Sequence, residues 1–291
     1  MAPATMAVAA LAMLLIQGRT GWAQKNGLAF WEPDPARVDP MLGVTPKKDA
    51  VRFGFLRRSL VNFDCKAELM EEQPAGKHGA KNLICTLPGK TAETIFVVAR
   101  FDDRGKDRPT WPDALLVPLL YHALQAQPRQ HTFTFAALDG YTGERAFLQW
   151  LHRPGQQPPS AMVVLDSLGM GLPNVYIEPT KKSEQGKPAG ETKTVMWGQG
   201  LKTRQLMGIQ AAAVQPEGLD AKQKTDLWQW QQGLTGSTLF TQVSHSPAAL
   251  IFSEYSKDIA PAAFHQDFDF VALFLCGIDV KLDSASKNTT P

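Results

Sequence analysis

Five short runs of β-branched and apolar residues recur along this chain: Asn82–Leu87, Thr94–Ala99, Thr132–Ala137, Ala161–Leu165 and Ala248–Phe252. Each has the length and residue types of a buried strand. Longer segments with helical spacing lie between and after them, at Pro112–Gln127, Gly143–Leu151, Leu201–Ala213, Ala221–Gln231 and Ala260–Lys281. Strands that alternate with helices point to an α/β fold, with a mostly parallel sheet covered on both faces. The 291 residues fit one large domain or two small ones. With 44% hydrophobic and 20% charged residues, there is material for a sizeable core, and wholesale disorder is excluded.

Charge and cysteine content narrow the function. Thirty Lys and Arg against twenty-eight Asp and Glu leave a formal charge of +2, without the basic surplus of a nucleic-acid binder. Three Cys exclude a small disulfide scaffold or a Cys-rich zinc module. Residues 1–18 carry no charged side chain, and Met6 to Ile16 is almost wholly apolar before Gly21-Trp22-Ala23. Residues 1–23 therefore read as a secretory signal whose apolar run is too short to span a bilayer. Cleavage after Ala23 and retention as an anchor both fit. The expected mature chain is secreted or periplasmic and has no membrane span.

Residues 24–58, with Pro33, Pro35, Pro40 and Pro46, read as an extended lead-in. Residues 59–282 are expected to form the domain, and 283–291 a disordered tail. Residues 179–193 are polar and carry Gly186 and Gly190, which suits a surface loop. Cys65 and Cys85 lie symmetrically about Gln73–Lys77. A hairpin centred near residue 75 sets them face to face; a cross-strand disulfide in an oxidising compartment and two buried free thiols both fit. Cys276 lies in an apolar segment and reads as core.

Several common motifs are missing. There is no Gly-x-Ser-x-Gly elbow, no phosphate-binding Gly-x-x-x-x-Gly-Lys-Ser/Thr loop and no His-Glu-x-x-His pair among the six His. Gly169-Met170-Gly171 lacks the third Gly of a dinucleotide loop.

Five other stretches occur in a telling order. They are NLICTLPGKTAETIFVVARFDD (82–103), FTFAALDGYTGERAFLQWL (133–151), AMVVLDSLGMG (161–171), SPAALIFSE (246–254) and AFHQDFD (263–269). Together they resemble the di-zinc aminopeptidase family that also includes glutaminyl cyclases and the nicastrin ectodomain. The resemblance spans residues 82–280. It implies a three-layer α/β/α sandwich around a mixed, mostly parallel sheet, with a site at the strand C-terminal ends. That placement agrees with the general rule for open α/β sheets.

In active members of such a family, two zinc ions share a bridging Asp, and a neighbouring Glu is the general base. Such an ion pair, about 3.5–4 Å apart, activates water and stabilises the oxyanion. Here the first His ligand is replaced by Arg100, which has donors but no acceptor and stays protonated. Asp102 matches a supporting Asp, and Asp113 is the acidic residue that suits the bridging position. The Glu-Glu pair falls on Ala137-Leu138 or, allowing a deletion, on Asp139-Gly140. Glu144 reads as a helix-start residue that favours the helix dipole. Asp166 matches a ligand of the first metal and His265 one of the second. Catalytic zinc takes three protein ligands and an open position.

The resemblance and its departures imply a degenerate member, without a complete catalytic set and without a metal cofactor. Such a chain acts as a binding or scaffold module for a peptide or protein. In this reading Arg100 neutralises Asp102, Asp113 or Asp166 in place of metal. The alternative is a metal-dependent exopeptidase, or a related amide-bond hydrolase or cyclase, with zinc held by some of Asp102, Asp113, Asp139, Asp166 and His265. Trp228 and Trp230 read as helix-packing residues, although the segment 172–235 also suits one rim of a cleft.

Overall fold

Burial along Thr94–Arg100 fixes the architecture. Ile95, Val97 and Ala99 enter one hydrophobic cluster, and Phe96 and Val98 a second. Side chains in a strand alternate between faces, so this strand is covered on both. The computed structural model describes residues 21–25, 28–76, 79–102, 110–154, 159–171, 173–177, 248–253 and 258–287.

A hairpin of β1 (Gly21–Lys25) and β2 (Leu28–Glu32) comes first, followed by helices α1 (Pro35–Leu42) and α2 (Asp49–Asn62). Next come β3 (Met70–Pro74), β4 (Lys81–Leu87), β5 (Thr94–Arg100), α3 (Trp111–Leu124), β6 (Thr132–Leu138) and α4 (Gly140–Leu151). The remaining elements are β7 (Ala161–Leu165), β8 (Pro173–Ile177), β9 (Ala248–Ser253) and α5 (Pro261–Lys287). The main sheet runs β3-β4-β6-β5-β7-β9-β8. Its centre, β6-β5-β7-β9, is parallel, while β3, β4 and β8 pair antiparallel. One face packs on α2, α3 and α5 through Val97, Phe135 and Val163. The other packs on α4, where Phe147, Leu148 and Leu151 meet Phe96, Val98 and Met162. The result is the expected three-layer α/β/α sandwich.

Helix α3 is apolar nearly all round because it is buried nearly all round, between the sheet and α2 and α5. Among the described residues no helix is long and apolar enough to cross a membrane.

The lead-in departs from expectation. Instead of running extended, it carries α1 and α2, and a boundary at residue 59 falls inside α2. Pro35 opens α1, where a missing N–H costs nothing, and Asp34 caps it by accepting from Ala36 N at 3.1 Å. Buried Arg52 fastens α2 to the domain, donating to Phe101 O at 2.9 Å and Pro46 O at 2.7 Å. At the other end α5 continues to Lys287, so residues 283–287 are helical where a disordered tail was expected.

Cys65 and Cys85 are joined by a disulfide with Cα atoms 6.5 Å apart. It is not a cross-strand bridge of the hairpin. Met70, not Cys65, lies opposite Cys85, because the β3–β4 turn is displaced from residue 75. The bridge ties β4 to the turn that follows α2. Cys276 is a buried free thiol on α5, and its Sγ accepts from Arg129 Nη1 at 3.1 Å. Of the expected signal at 1–23, residues 1–20 lie outside the described residues, while Gly21, Trp22 and Ala23 fall in β1 and pair with β2. The helices at 201–213 and 221–231, the loop at 179–193, Trp228 and Trp230 also lie outside the described residues.

Candidate functional site

Parallel register brings three strand ends to one edge. Arg100 pairs with Leu138 and Ala99 with Leu165, so Arg100, Asp139 and Asp166 all leave the sheet on the same side. The Arg100 side chain is 20% exposed, and its Nη1 lies 3.5 Å from Glu144 Oε1. Glu144 reaches it from the second turn of α4 and is almost fully buried. Asp102, Asp113 and Asp166 are buried as well. Arg100, Glu144 and Asp166 line a pocket of about 10 Å³, the space of one water, with Val98, Ala99, Val164 and Leu165 as its walls.

The electrostatics follow from this crowding. Burial works against the Arg100 charge, but Asp166, then Glu144, Asp102 and Asp113, more than compensate and hold the guanidinium more firmly protonated than usual. Asp113 is pushed well above the usual carboxylate range, first by burial and then by the charge of Asp166. The N–H groups of Leu168 and Ser167, and Arg100, oppose that shift.

Asp113 also shapes the loop after β7. Ser167 sits at φ 58° and Gly169 at φ 83°, in left-handed conformations that turn successive N–H groups inward. Asp113 accepts from Ser167 N at 2.8 Å and from Leu168 N at 2.7 Å, one oxygen each. Asp267 on α5 accepts from Gly169 N at 2.6 Å and from the Ser253 hydroxyl. Burial raises Asp267 to about 7, against the opposing bonds from Ser253 and Gly169.

Of the residues singled out in the sequence, Arg100, Asp102, Asp113 and Asp166 come together, and all three acids act on Arg100. Asp139 stands before the first turn of α4, where its N–H donates to Asn82 Oδ1 at 3.0 Å. His265 does not join them. Its Nε2 lies 2.7 Å from Asp39 Oδ1 on α1.

Glu144 and Asp267 were missed as site residues. Glu144, expected as a dipole partner, forms an ion pair with Arg100. Both acids sit at buried positions of an amphipathic helix, Glu144 with Phe147, Leu148 and Leu151, and Asp267 with Phe264, Phe268 and Val271. An acid on a helix's apolar stripe is the signal that would have found them.

The family resemblance implies zinc, and the donors present can be tested for fit. A guanidinium occupies the end of β5. Both Asp113 oxygens already accept backbone N–H groups. His265 is turned to Asp39. Among the described residues no group of three or more His, Cys, Asp or Glu is disposed to hold a metal ion. The donors among the described residues do not fit a di-zinc centre.

The fold and this edge define an α/β protein of aminopeptidase-like architecture, and comparison with known proteins agrees at the level of fold. No protein-family model matches the sequence, and no curated protein matches it. Among solved structures, LapA of Legionella pneumophila, described as an aminopeptidase, superposes with a TM-score of 0.51 at 9% identity, over 97% of this chain and 77% of that one. Fimbriiglobus ruber glutaminyl cyclase superposes with a TM-score of 0.50 at 14% identity, over 88% of this chain and 99% of that one. An aminopeptidase from Aneurinibacillus sp. strain AM-1 gives a TM-score of 0.45 at 15% identity, over 68% of this chain, which spans 47% of that protein.

Proposed function

We propose that this chain is an exported aminopeptidase-fold protein that has given up di-zinc chemistry and serves as a non-catalytic binding or scaffold module for a peptide or protein. The observation that carries this reading is the Arg100 guanidinium at the end of β5, beside Glu144 and among Asp102, Asp113 and Asp166. A dication about 4 Å from a fixed guanidinium meets roughly 8 kcal/mol of repulsion at an effective dielectric near 20. The surrounding carboxylates attract a dication, and the tethered guanidinium opposes that attraction by this amount. The apolar N-terminal stretch supports export, and the Cys65–Cys85 disulfide suits an oxidising compartment.

The test is metal content. Purified chain, equilibrated with stoichiometric zinc and then desalted, is expected to keep a negligible amount by elemental analysis. It is also expected to leave aminoacyl and N-terminal glutaminyl substrates intact. Retention of one or two ions per chain, abolished by His265→Ala, would replace this reading with that of a metal-dependent exopeptidase or cyclase with rearranged ligands.

A further inference from the structure

Four carboxylates converge on one point from four separate segments. Asp102 follows β5, Asp113 lies in the first turn of α3, Glu144 projects from α4, and Asp166 follows β7. Each is less than a tenth exposed. Buried like charges repel and have lost their hydration, so such a group holds together only if it is partly protonated or shares a cation. Asp113 is steadied by two backbone N–H groups, from Ser167 at 2.8 Å and from Leu168 at 2.7 Å. For the others Arg100 lies where all the fields add. It contacts Glu144 at 3.5 Å, and Asp166 is the acid that acts on it most strongly.

We propose that the end of β5 is a guanidinium-binding site that the chain fills with its own Arg100, a tethered counter-ion that holds the ends of β5 and β7 to the starts of α3 and α4. The chemistry selects arginine. A guanidinium is planar, carries five donors and is weakly hydrated, so it enters a buried acidic pocket more readily than an ammonium. It also never deprotonates, so the pocket keeps its cation at every physiological pH. Arg100 is a positioning residue here, acting through the carboxylates it gathers. The inference rests on the reading of the pocket as metal-free. The zinc content of the wild-type chain tests that reading separately from the experiment below.

The experiment is chemical rescue in the full chain. Arg100→Ala removes the cation and leaves room for a free one. It is expected to lower Tm by roughly 5–15 °C, the effect of orphaning buried charges in a domain of this size. Millimolar guanidinium chloride, well below denaturing concentrations, should recover part of that loss, and equal concentrations of sodium or tetramethylammonium chloride should not. Arg100→Lys should fall between wild type and Arg100→Ala. In a double-mutant cycle, Arg100→Met and Glu144→Gln should lose less together than the sum of their separate losses. If guanidinium does no more than sodium, or the cycle is additive, the proposal is overturned. Should Arg100→Ala not fold, Arg100→Ala with Glu144→Gln must fold, since relief of charge replaces the cation. A double variant that fails where Glu144→Gln alone succeeds also overturns it.

Discussion

His131 is buried, yet it faces two carboxylates. Its Nδ1 lies 3.1 Å from Asp279 Oδ1 and its Nε2 3.3 Å from Glu93 Oε2. Burial disfavours the imidazolium, but the bond and charge of Asp279, with Glu93 behind it, raise the ring above its usual value. A folded value above the unfolded one, near 6.5, means the stabilisation is complete below about pH 6.5 and is lost as pH rises through the folded value. Arg129 and Cys276 lie close by and share the same field of charges. Burial likewise raises Asp267 to about 7, and its loss of stability runs in the same direction. Wild-type urea midpoints should therefore fall between about pH 5.5 and pH 8.5, and Asp279→Asn should flatten the part due to His131. A wild-type-minus-variant difference that does not change across that range would remove His131 from the account. The residue scale was partly legible in advance. Arg100, Asp102, Asp113 and Asp166 could be named because the five ordered stretches resemble a family whose site residues hold those places in the chain. Glu144, Asp267 and the His265–Asp39 pair depend on which way a helix faces and on what packs against it, which spacing along one segment does not reveal.

Helix α4 is placed by a side chain from a neighbouring strand. Asn82 on β4 accepts from Asp139 N at 3.0 Å, and its Nδ2 donates to Gly143 O at 2.8 Å and to Gln73 Oε1 at 2.6 Å. The amide therefore fixes the turn that carries Glu144 to Arg100. Gly143 permits this approach, since a Cβ there would stand 2.3 Å from Asn82 Oδ1 and 3.3 Å from Leu138 C. Helix propensity alone favours Ala over Gly by about 1 kcal/mol. Overpacking costs about 1–3 kcal/mol and should win in this position. Gly143→Ala is expected to lower the urea midpoint, yet to cost little further in an Asn82→Ala background. A variant as stable as wild type would show that the turn relaxes without penalty. At this scale β4, β5, β6, β7 and β9 were legible to within one residue at each end, because residues buried on both faces leave continuous apolar runs, whereas β1, β2, β3 and β8, at the margins of the sheet or outside it, were not. The lead-in was not, because four prolines in a stretch with little periodicity suggest an extended chain, whereas Pro35 is a helix starter whose role depends on Asp34 before it.

Across the whole molecule, the described residues from β2 to β3 contribute to the core. Phe30, Val38, Leu42, Leu56 and Leu60 are buried in the same cluster as the sheet's inner face. Polar ties follow the same route. Trp111 Nε1 donates to Met41 O at 3.0 Å, Gln125 Nε2 to Phe63 O at 2.8 Å and Arg129 Nη2 to Ala29 O at 2.9 Å. Trp111 opens α3, which also carries Asp113, and Arg52 of α2 donates to Phe101 O between Arg100 and Asp102, so the lead-in braces the site from behind. Five large apolar side chains, at about 1.5–3 kcal/mol each, are worth roughly 10 kcal/mol. That is comparable to the full stability of a typical domain, about 5–15 kcal/mol. A chain beginning at Asp64, which keeps Cys65 and Cys85, should therefore lose its cooperative transition. It should bind a hydrophobic dye such as ANS, as a collapsed but unpacked chain does. The chain that keeps the lead-in should unfold in one step, measured by circular dichroism and by tryptophan fluorescence alike. If the shortened chain unfolded cooperatively at an unchanged midpoint, the lead-in would be an accessory laid on a finished domain. The carboxylate–arginine site would then owe nothing to Arg52 or to the bond from Trp111 to Met41.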